Sequence, residues 1–337
     1  MINSSDSIPS QSINEVVTMG HRFQDASLEA QILEPFDIKV RNLGGQEKEA
    51  AIRAAENSNG VLLGPLFRLD KEDFHRLPEC KVVVRYGVGV DNIDVDSAVD
   101  AGIAVCYVPD YGVEEVAIHS LALLLACARQ LDYWALAVRE GKWGISQSKA
   151  KMRRLSTSTL GVIGAGRIGQ ALIRRAKPIW QRILVYDPYI DDQTVIGLNA
   201  EMSSLEDLLS ASNFVSVHIP SNSETKGLLS EKRLRTMPSD AILVNCSRGD
   251  VVDENALVQL LKGGHLQRAA LDVFADEPPA PDGIVGLDQV WPTPHVAYLS
   301  AEAVQDLRRS AAREAGLVLR DSQPNNAVRL PEGWVFS

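Results

Sequence analysis

The chain has 337 residues, which at ~100–200 residues per domain suggests two domains. Hydrophobic residues make up 45% and charged residues 23%, a balance that excludes wholesale disorder, collagen and coiled coil. The 34 basic and 44 acidic side chains leave a net charge of −10, which argues against a nucleic-acid surface, and no run reaches the ~18 apolar residues of a membrane span.

Residues 1–14 are polar and Ser-rich, read as a flexible leader; they lack the basic-then-apolar pattern of a signal peptide. Strands are expected at 16–19 and 36–40. A helix follows at 46–58, with Ala50, Ala51, Ala54 and Ala55 on one stripe. Buried strands follow at 60–63, 81–86 and 103–108, giving a βαβ rhythm. Residues 114–130 form a helix that is apolar almost all round through Leu121, Leu123, Leu124 and Leu125. Such a helix is buried, here expected between domains. Residues 133–139 continue helically, and the polar, basic stretch 141–156 reads as a surface connection. A second series then begins. Its strands are expected at 159–163, 183–187, 214–218, 241–246, 269–273 and 290–291, its helices at 167–177, 204–211, 231–236 and 255–262. A last helix spans 301–319. The pattern predicts an α/β fold with parallel sheets covered on both faces. Cys80, Cys106, Cys127 and Cys246 stand singly, with no CxxC and no Cys/His pairing. Neither a disulfide scaffold nor a metal site is expected, and the chain reads as cytoplasmic.

The segment Gly164-Ala165-Gly166-Arg167-Ile168-Gly169 follows an apolar strand and opens an apolar-periodic helix. In that context G-x-G-x-x-G is a dinucleotide loop. Gly164 permits the turn, Gly166 lets the backbone approach a pyrophosphate, and Gly169 lets helix and strand pack closely. The helix start offers free N–H groups to the anion. Asp187 ends the next strand, 23 residues after Gly164. That is near the spacing of an acid that accepts ribose hydroxyls and repels a 2′-phosphate, so NAD is expected rather than NADP.

Arg248, Glu277 and His295 follow later strands, where ligands of open α/β sheets bind. Reducing a 2-oxo acid needs a cation for the carboxylate, and the planar fork of Arg supplies two hydrogen bonds. It needs a proton donor for the carbonyl oxygen, which His supplies near neutral pH. A carboxylate beside that His orients the ring. Alone, each residue is ordinary: Arg248 suits a strand-end salt bridge to Asp250 or Asp253. The set, beside a dinucleotide loop, is what points to hydride-transfer chemistry.

The chain resembles the NAD-dependent D-2-hydroxyacid dehydrogenases over roughly residues 60–330. The resemblance is carried by Arg85-Tyr86-Gly87-Val88-Gly89-Val90-Asp91-Asn92-Ile93-Asp94, the Gly164 loop, Val217-His218-Ile219-Pro220, residues 245–254, Ala270-Leu271-Asp272-Val273 and Thr293-Pro294-His295. It implies a flavodoxin-like substrate domain, 15–112 with 299–337, and an inserted Rossmann-type NAD-binding domain, 113–298. The helix beginning near 114 would be the hinge crossing, and a 2-oxo acid would sit between the domains. Arg248 becomes the carboxylate binder, Glu277 the His partner and His295 the acid–base. Gly87 and Val88 meet the substrate carboxylate. Gly164, Gly166, Arg167, Ile168, Gly169, Asp187, His218, Ile219, Pro220 and His295 line the cofactor. Cys246 and Ser247 lie along the nicotinamide ribose, and Asp272 binds the carboxamide.

Arg85 and the Ala297-Tyr298 pair look like the C-terminal-binding-protein branch of that family, and both would face the substrate. A cation at Arg85 suits a substrate with a second anionic group, such as a phosphorylated or phosphonate-bearing acid. That branch also implies an alternative, an NAD-sensing corepressor-like protein. Ile118 replaces an acid common on the family's hinge helix. Residues 131–143 match the family's intersubunit arm, so a homodimer is implied. No counterpart of the regulatory domain of longer phosphoglycerate dehydrogenases is expected.

Overall fold

The computed structural model describes residues 14–144 and 152–336. Most of the expected leader, residues 1–13, and residues 145–151 of the expected connection lie outside them. The chain divides into two compact units, Met1–Tyr111 with Ala301–Ser337, and Gly112–Ser300.

The first unit holds β1 (Asn14–Met19), β2 (Ile38–Asn42), β3 (Gly60–Leu63), β4 (Val82–Arg85) and β5 (Ala104–Cys106). These pair in parallel in the order β5, β4, β3, β1, β2, the flavodoxin-like arrangement. Ala327–Arg329 pairs antiparallel with β5 at one edge. Side chains alternate across the sheet, as a period of two requires. Val61, Leu63, Val83 and Val105 face a core with Ala51, Ile52 and Phe74. Leu62, Val82, Val84 and Cys106 face the opposite core with Leu307, Ala311 and Ala315 of the helix Ala301–Leu319. The helix at 46–58 is shorter than expected, Lys48–Ala54, and its alanine stripe is corrected: Ala51, Ile52 and Ala55 are buried while Ala50 is exposed.

The second unit holds β6 (Thr159–Ile163), β7 (Arg182–Tyr186), β8 (Glu201–Met202), β9 (Phe214–Val217), β10 (Ile242–Asn245), β11 (Arg268–Leu271) and β12 (Val290–Pro292). All pair in parallel, in the order β12, β11, β10, β9, β6, β7, β8. The order reverses between β6 and β9, the switch point of a Rossmann-type sheet. One face packs Val215, Leu243 and Leu271 against the helices Leu205–Ala211 and Glu254–Lys262. The other packs Val162, Val185 and Val244 against Arg167–Ala176 and Val113–Arg129. The long apolar helix is thus part of this unit's core. Its Ile118 is 47% exposed, so the helix is buried on one face rather than all round. Among the described residues no single helix is long and apolar enough to cross a membrane.

Candidate active site

Because every strand of the second sheet runs the same way, the loops after their carboxyl ends share one edge. The Gly164 loop follows β6, Asp187 follows β7, His218 follows β9, and Arg248, Glu277 and His295 follow β10, β11 and β12.

Gly164 has φ +93°, and a Cβ there would stand 2.6 Å from the His218 carbonyl oxygen. A Cβ on Gly169 would stand 2.0 Å from the Gly164 carbonyl oxygen. Nothing lies within 4 Å of a Cβ on Gly166. Two glycines therefore serve packing, and the third leaves open space at the loop's surface. Gly166 precedes the helix Arg167–Ala176, and no side chain caps that helix start. The helix start, with its positive dipole end, suits an anion such as a phosphate. Asp187 accepts from the Ala165 N–H at 2.7 Å and from the Tyr189 N–H at 2.9 Å. These residues fit the diphosphate and ribose of a dinucleotide.

His218, Ile219 and Pro220 border the same loop, but the His218 ring faces inward. Its Nε2 lies 2.8 Å from Ser216 Oγ, and burial pushes its pKa down to about 4. The ring stays neutral at working pH, and its backbone carbonyl, not its imidazole, meets the loop. Cys246 is likewise inert: burial pushes its thiol up to about 12, with Ser120 as hydrogen-bond partner.

Glu277 Oε2 lies 2.7 Å from His295 Nδ1, and Glu277 Oε1 accepts from the Phe274 N–H at 3.1 Å. Burial pushes the Glu277 carboxyl up. The hydrogen bond and charge of His295, the Phe274 N–H and the charge of Arg248 outweigh it and hold the group below the usual carboxylate range. With Nδ1 engaged, Nε2 is the His295 atom left to exchange a proton. The two side chains are 40% and 38% exposed, open enough to meet a ligand. Asp250 accepts from Ser221, and Asp253 caps the helix Glu254–Lys262. Arg248 Nη1 donates to the Ser247 carbonyl at 2.7 Å.

Several supporting contacts escape sequence reasoning. Asn245, 1% exposed, donates to the Arg248 carbonyl at 2.8 Å and accepts from the Ser247 N–H at 3.0 Å and the Ser247 hydroxyl at 2.7 Å. It locks the turn that carries Arg248. Asp272, also 1% exposed, accepts from Thr293 Oγ1 at 2.6 Å and from the Val296 and Ala297 N–H groups at 2.9 Å. Its carboxylate thus braces the loop that carries His295, in addition to any contact with a carboxamide. His295 itself sits at φ +55°, its N–H donating to the Asp272 carbonyl at 2.9 Å. His119 Nε2 lies 3.2 Å from Thr293 Oγ1, across 174 residues of chain. Tyr298 packs beside Gly112, whose added Cβ would stand 3.2 Å from the Tyr298 Cβ.

In the first unit, Arg85 ends β4 and donates through Nη1 to the Tyr86 carbonyl. Its guanidinium lies across Gly87, φ +140°, and Val88 is 45% exposed. Asn92 ties this loop to the one after β3, donating to Gly64 O at 3.0 Å and to Phe67 O at 2.6 Å.

Among known proteins, residues 121–297 match the family model described as D-isomer specific 2-hydroxyacid dehydrogenase, NAD binding domain. The chain is 41% identical to a glyoxylate reductase of Pyrococcus horikoshii, over 77% of its own length and 80% of the relative's. It is 35% identical to a D-3-phosphoglycerate dehydrogenase of Mycobacterium tuberculosis, over 88% of its length. It spans only 56% of that relative, about half its length. The structure is similar to a D-lactate dehydrogenase of Aquifex aeolicus complexed with NAD and lactic acid. The TM-score is 0.84 at 25% identity, covering 94% of this chain and all of that one.

Proposed function

The chain belongs to the D-isomer specific 2-hydroxyacid dehydrogenase family, and on that premise we propose that it interconverts a small 2-oxo acid and its D-2-hydroxy acid with NAD(H). The observation that carries the reading is the 2.7 Å contact of Glu277 with His295, beside the charge of Arg248, on the sheet edge that holds the Gly164 loop.

A bound nicotinamide supplies the hydride. The chain's residues do the rest. The helix start behind Gly166 and the carboxylate of Asp187 hold the dinucleotide. Arg248 grips the substrate carboxylate with a planar fork, which fixes the oxo carbon in one orientation. His295 gives a proton from Nε2 to the carbonyl oxygen in reduction and takes it back in oxidation. Glu277 holds the ring through Nδ1. The backbone around Gly87 and Val88 meets the substrate carboxylate, and Arg85 favours a substrate with a second anionic group. A relative named for 3-phosphoglycerate fits that second group, and one named for glyoxylate fits a small 2-oxo acid.

The decisive test offers NADH and a panel of 2-oxo acids: glyoxylate, pyruvate and a phosphorylated 2-oxo acid. Turnover of at least one, with a D-hydroxy product, is expected. No turnover across the panel would sink the reading.

Arg85 and Tyr298 support a second reading, a C-terminal-binding-protein-like role in which NAD(H) occupancy governs protein contacts. Negligible turnover together with tight NADH binding would favour it. A homodimer is part of the proposal as well. The helix Leu131–Arg139 exposes Leu131, Leu136 and Val138, each more than half, and Trp143 beyond it is 87% exposed. Sedimentation at micromolar concentration tests this; a monomer refutes it.

A further inference from the structure

At the carboxyl end of β4, one residue from Arg85, lies a buried polar network that the chemistry above does not use. Tyr86 is 2% exposed and its hydroxyl donates to Glu29 Oε1 at 2.8 Å. Glu29 is fully buried, and Arg308 grips both its oxygens, Nε to Oε1 at 2.7 Å and Nη2 to Oε2 at 2.6 Å. Arg308 also donates to the Asp25 carbonyl at 2.9 Å and lies 5.0 Å above the Phe23 ring. Phe23 and His21 meet the Tyr86 ring edge-on, at 5.3 and 5.8 Å. Three distant segments thus converge on one phenol: the start of the helix Ser27–Leu33, the end of β4, and the helix Ala301–Leu319.

Burying an ion pair of this kind is weak support for stability, because desolvation offsets much of the attraction and an apolar trio of similar volume would pack as well. What the network provides is geometry. Burial and the Glu29 charge hold the Tyr86 phenol well above its usual pKa, so the hydroxyl remains a donor. A pinned Tyr86 ring fixes its own backbone, and that backbone makes the substrate loop. The Tyr86 N–H donates to Leu63 O at 2.9 Å, its carbonyl accepts from Arg85, and the Gly87 carbonyl accepts from Val108 N–H at 3.1 Å. We infer that Glu29 and Arg308 are positioning residues that act through Tyr86 to hold Arg85, Gly87 and Val88 in the arrangement that receives the substrate's carboxylate. The inference rests on the 2-oxo acid reading above.

The experiment compares wild type, Tyr86→Phe, Glu29→Gln and Arg308→Lys by steady-state kinetics, NADH titration and thermal melting. Tyr86→Phe removes one hydroxyl and keeps the ring. It should raise KM for the 2-oxo acid on the order of 10-fold, as expected for a lost hydrogen bond to a charged group. kcat and NADH affinity should hold. Glu29→Gln should act in the same direction, and Arg308→Lys, which keeps the charge, should be milder. If Tyr86→Phe does not fold, Glu29→Gln decides. Variants that melt lower but keep wild-type KM would show a purely structural network and overturn the inference, leaving the reading intact. A kcat loss with unchanged KM would overturn it as well. A wild type that turns over no 2-oxo acid removes the reading and the inference together.

Discussion

Asp187 Oδ2 accepts a hydrogen bond from the Ala165 N–H at 2.7 Å, so the acid proposed to read a ribose also braces the loop proposed to hold the phosphates. The two tasks are compatible, because a carboxylate offers about four acceptor positions and Asp187 uses one on each oxygen, the second for Tyr189 N–H.

The first prediction follows from that double role. Asp187→Ala should weaken NADH about 10- to 100-fold, the effect of losing a charge-assisted hydrogen bond. It should also relax discrimination against NADPH, since the charge that repels a 2′-phosphate is gone. Fluorescence titration with both dinucleotides measures each effect. Equal affinities in the unsubstituted protein would refute the specificity role; an unchanged NADH affinity in the variant would refute the brace.

Arg248 allows a test of geometry against charge. Arg248→Lys keeps the cation and loses the fork. Mispositioning of a reacting group costs on the order of 10²-fold, and that loss in kcat/KM is expected here. A lysine variant with near-native kcat/KM would mean that Arg248 is not the clamp.

Two glycines separate packing from binding. A Cβ on Gly249 would stand 2.0 Å from the Phe274 carbonyl carbon and oxygen, both backbone. Gly249→Ala must therefore push the Arg248 turn away from the Glu277 loop, at a cost of about 1–3 kcal/mol. Its Tm and its kcat/KM should fall together. Gly166→Ala meets nothing within 4 Å, so its Tm should hold. NADH affinity should fall instead, because the methyl group stands where a pyrophosphate approaches. A lower Tm with unchanged NADH affinity for Gly166→Ala would reverse the assignment.

The dinucleotide loop was legible because its demands are local: a turn at Gly164 and a close approach at Gly169 are each a statement about one backbone position. Arg248, Glu277 and His295 were legible because strand ends could be placed from apolar runs. Asn245, Thr293 and His119 were not, since their value depends on partners such as Asp272 that only the folded sheet brings near. Glu29 and Arg308, 279 residues apart, are the extreme case. Short helices were missed for a different reason. Lys71–His75 and Val95–Asp100 are too brief to show a period, although Asp70 with Asp73, and Asp94 with Ser97, carry the capping signal that would have found them. The edge strand Ala327–Arg329 is exposed throughout and so has no apolar pattern to read.

The last prediction concerns proton transfer. Glu277 is held below the usual carboxylate range, so it is ionised across the working pH and a negative charge faces His295 Nδ1 throughout. Reduction needs a protonated His295 and should lose rate as pH rises; oxidation needs the neutral ring and should lose rate as pH falls. Glu277→Gln removes the carboxylate that orients the ring through Nδ1, so kcat should fall while NADH affinity holds. The same depressed carboxyl contributes stability that is present above its unfolded pKa and lost as pH falls through its folded one. The Gln variant should therefore lose part of the acid-side dependence of Tm. His295→Gln can donate a hydrogen bond but cannot transfer the proton, so kcat should drop roughly 10²–10⁴-fold. NADH affinity, carried by the Gly164 loop and Asp187, should hold. Paired pH–rate profiles with NADH titrations decide the matter. If His295→Gln turns over normally, or loses NADH binding in step with its rate, the residue shapes its loop and the proton comes from another group.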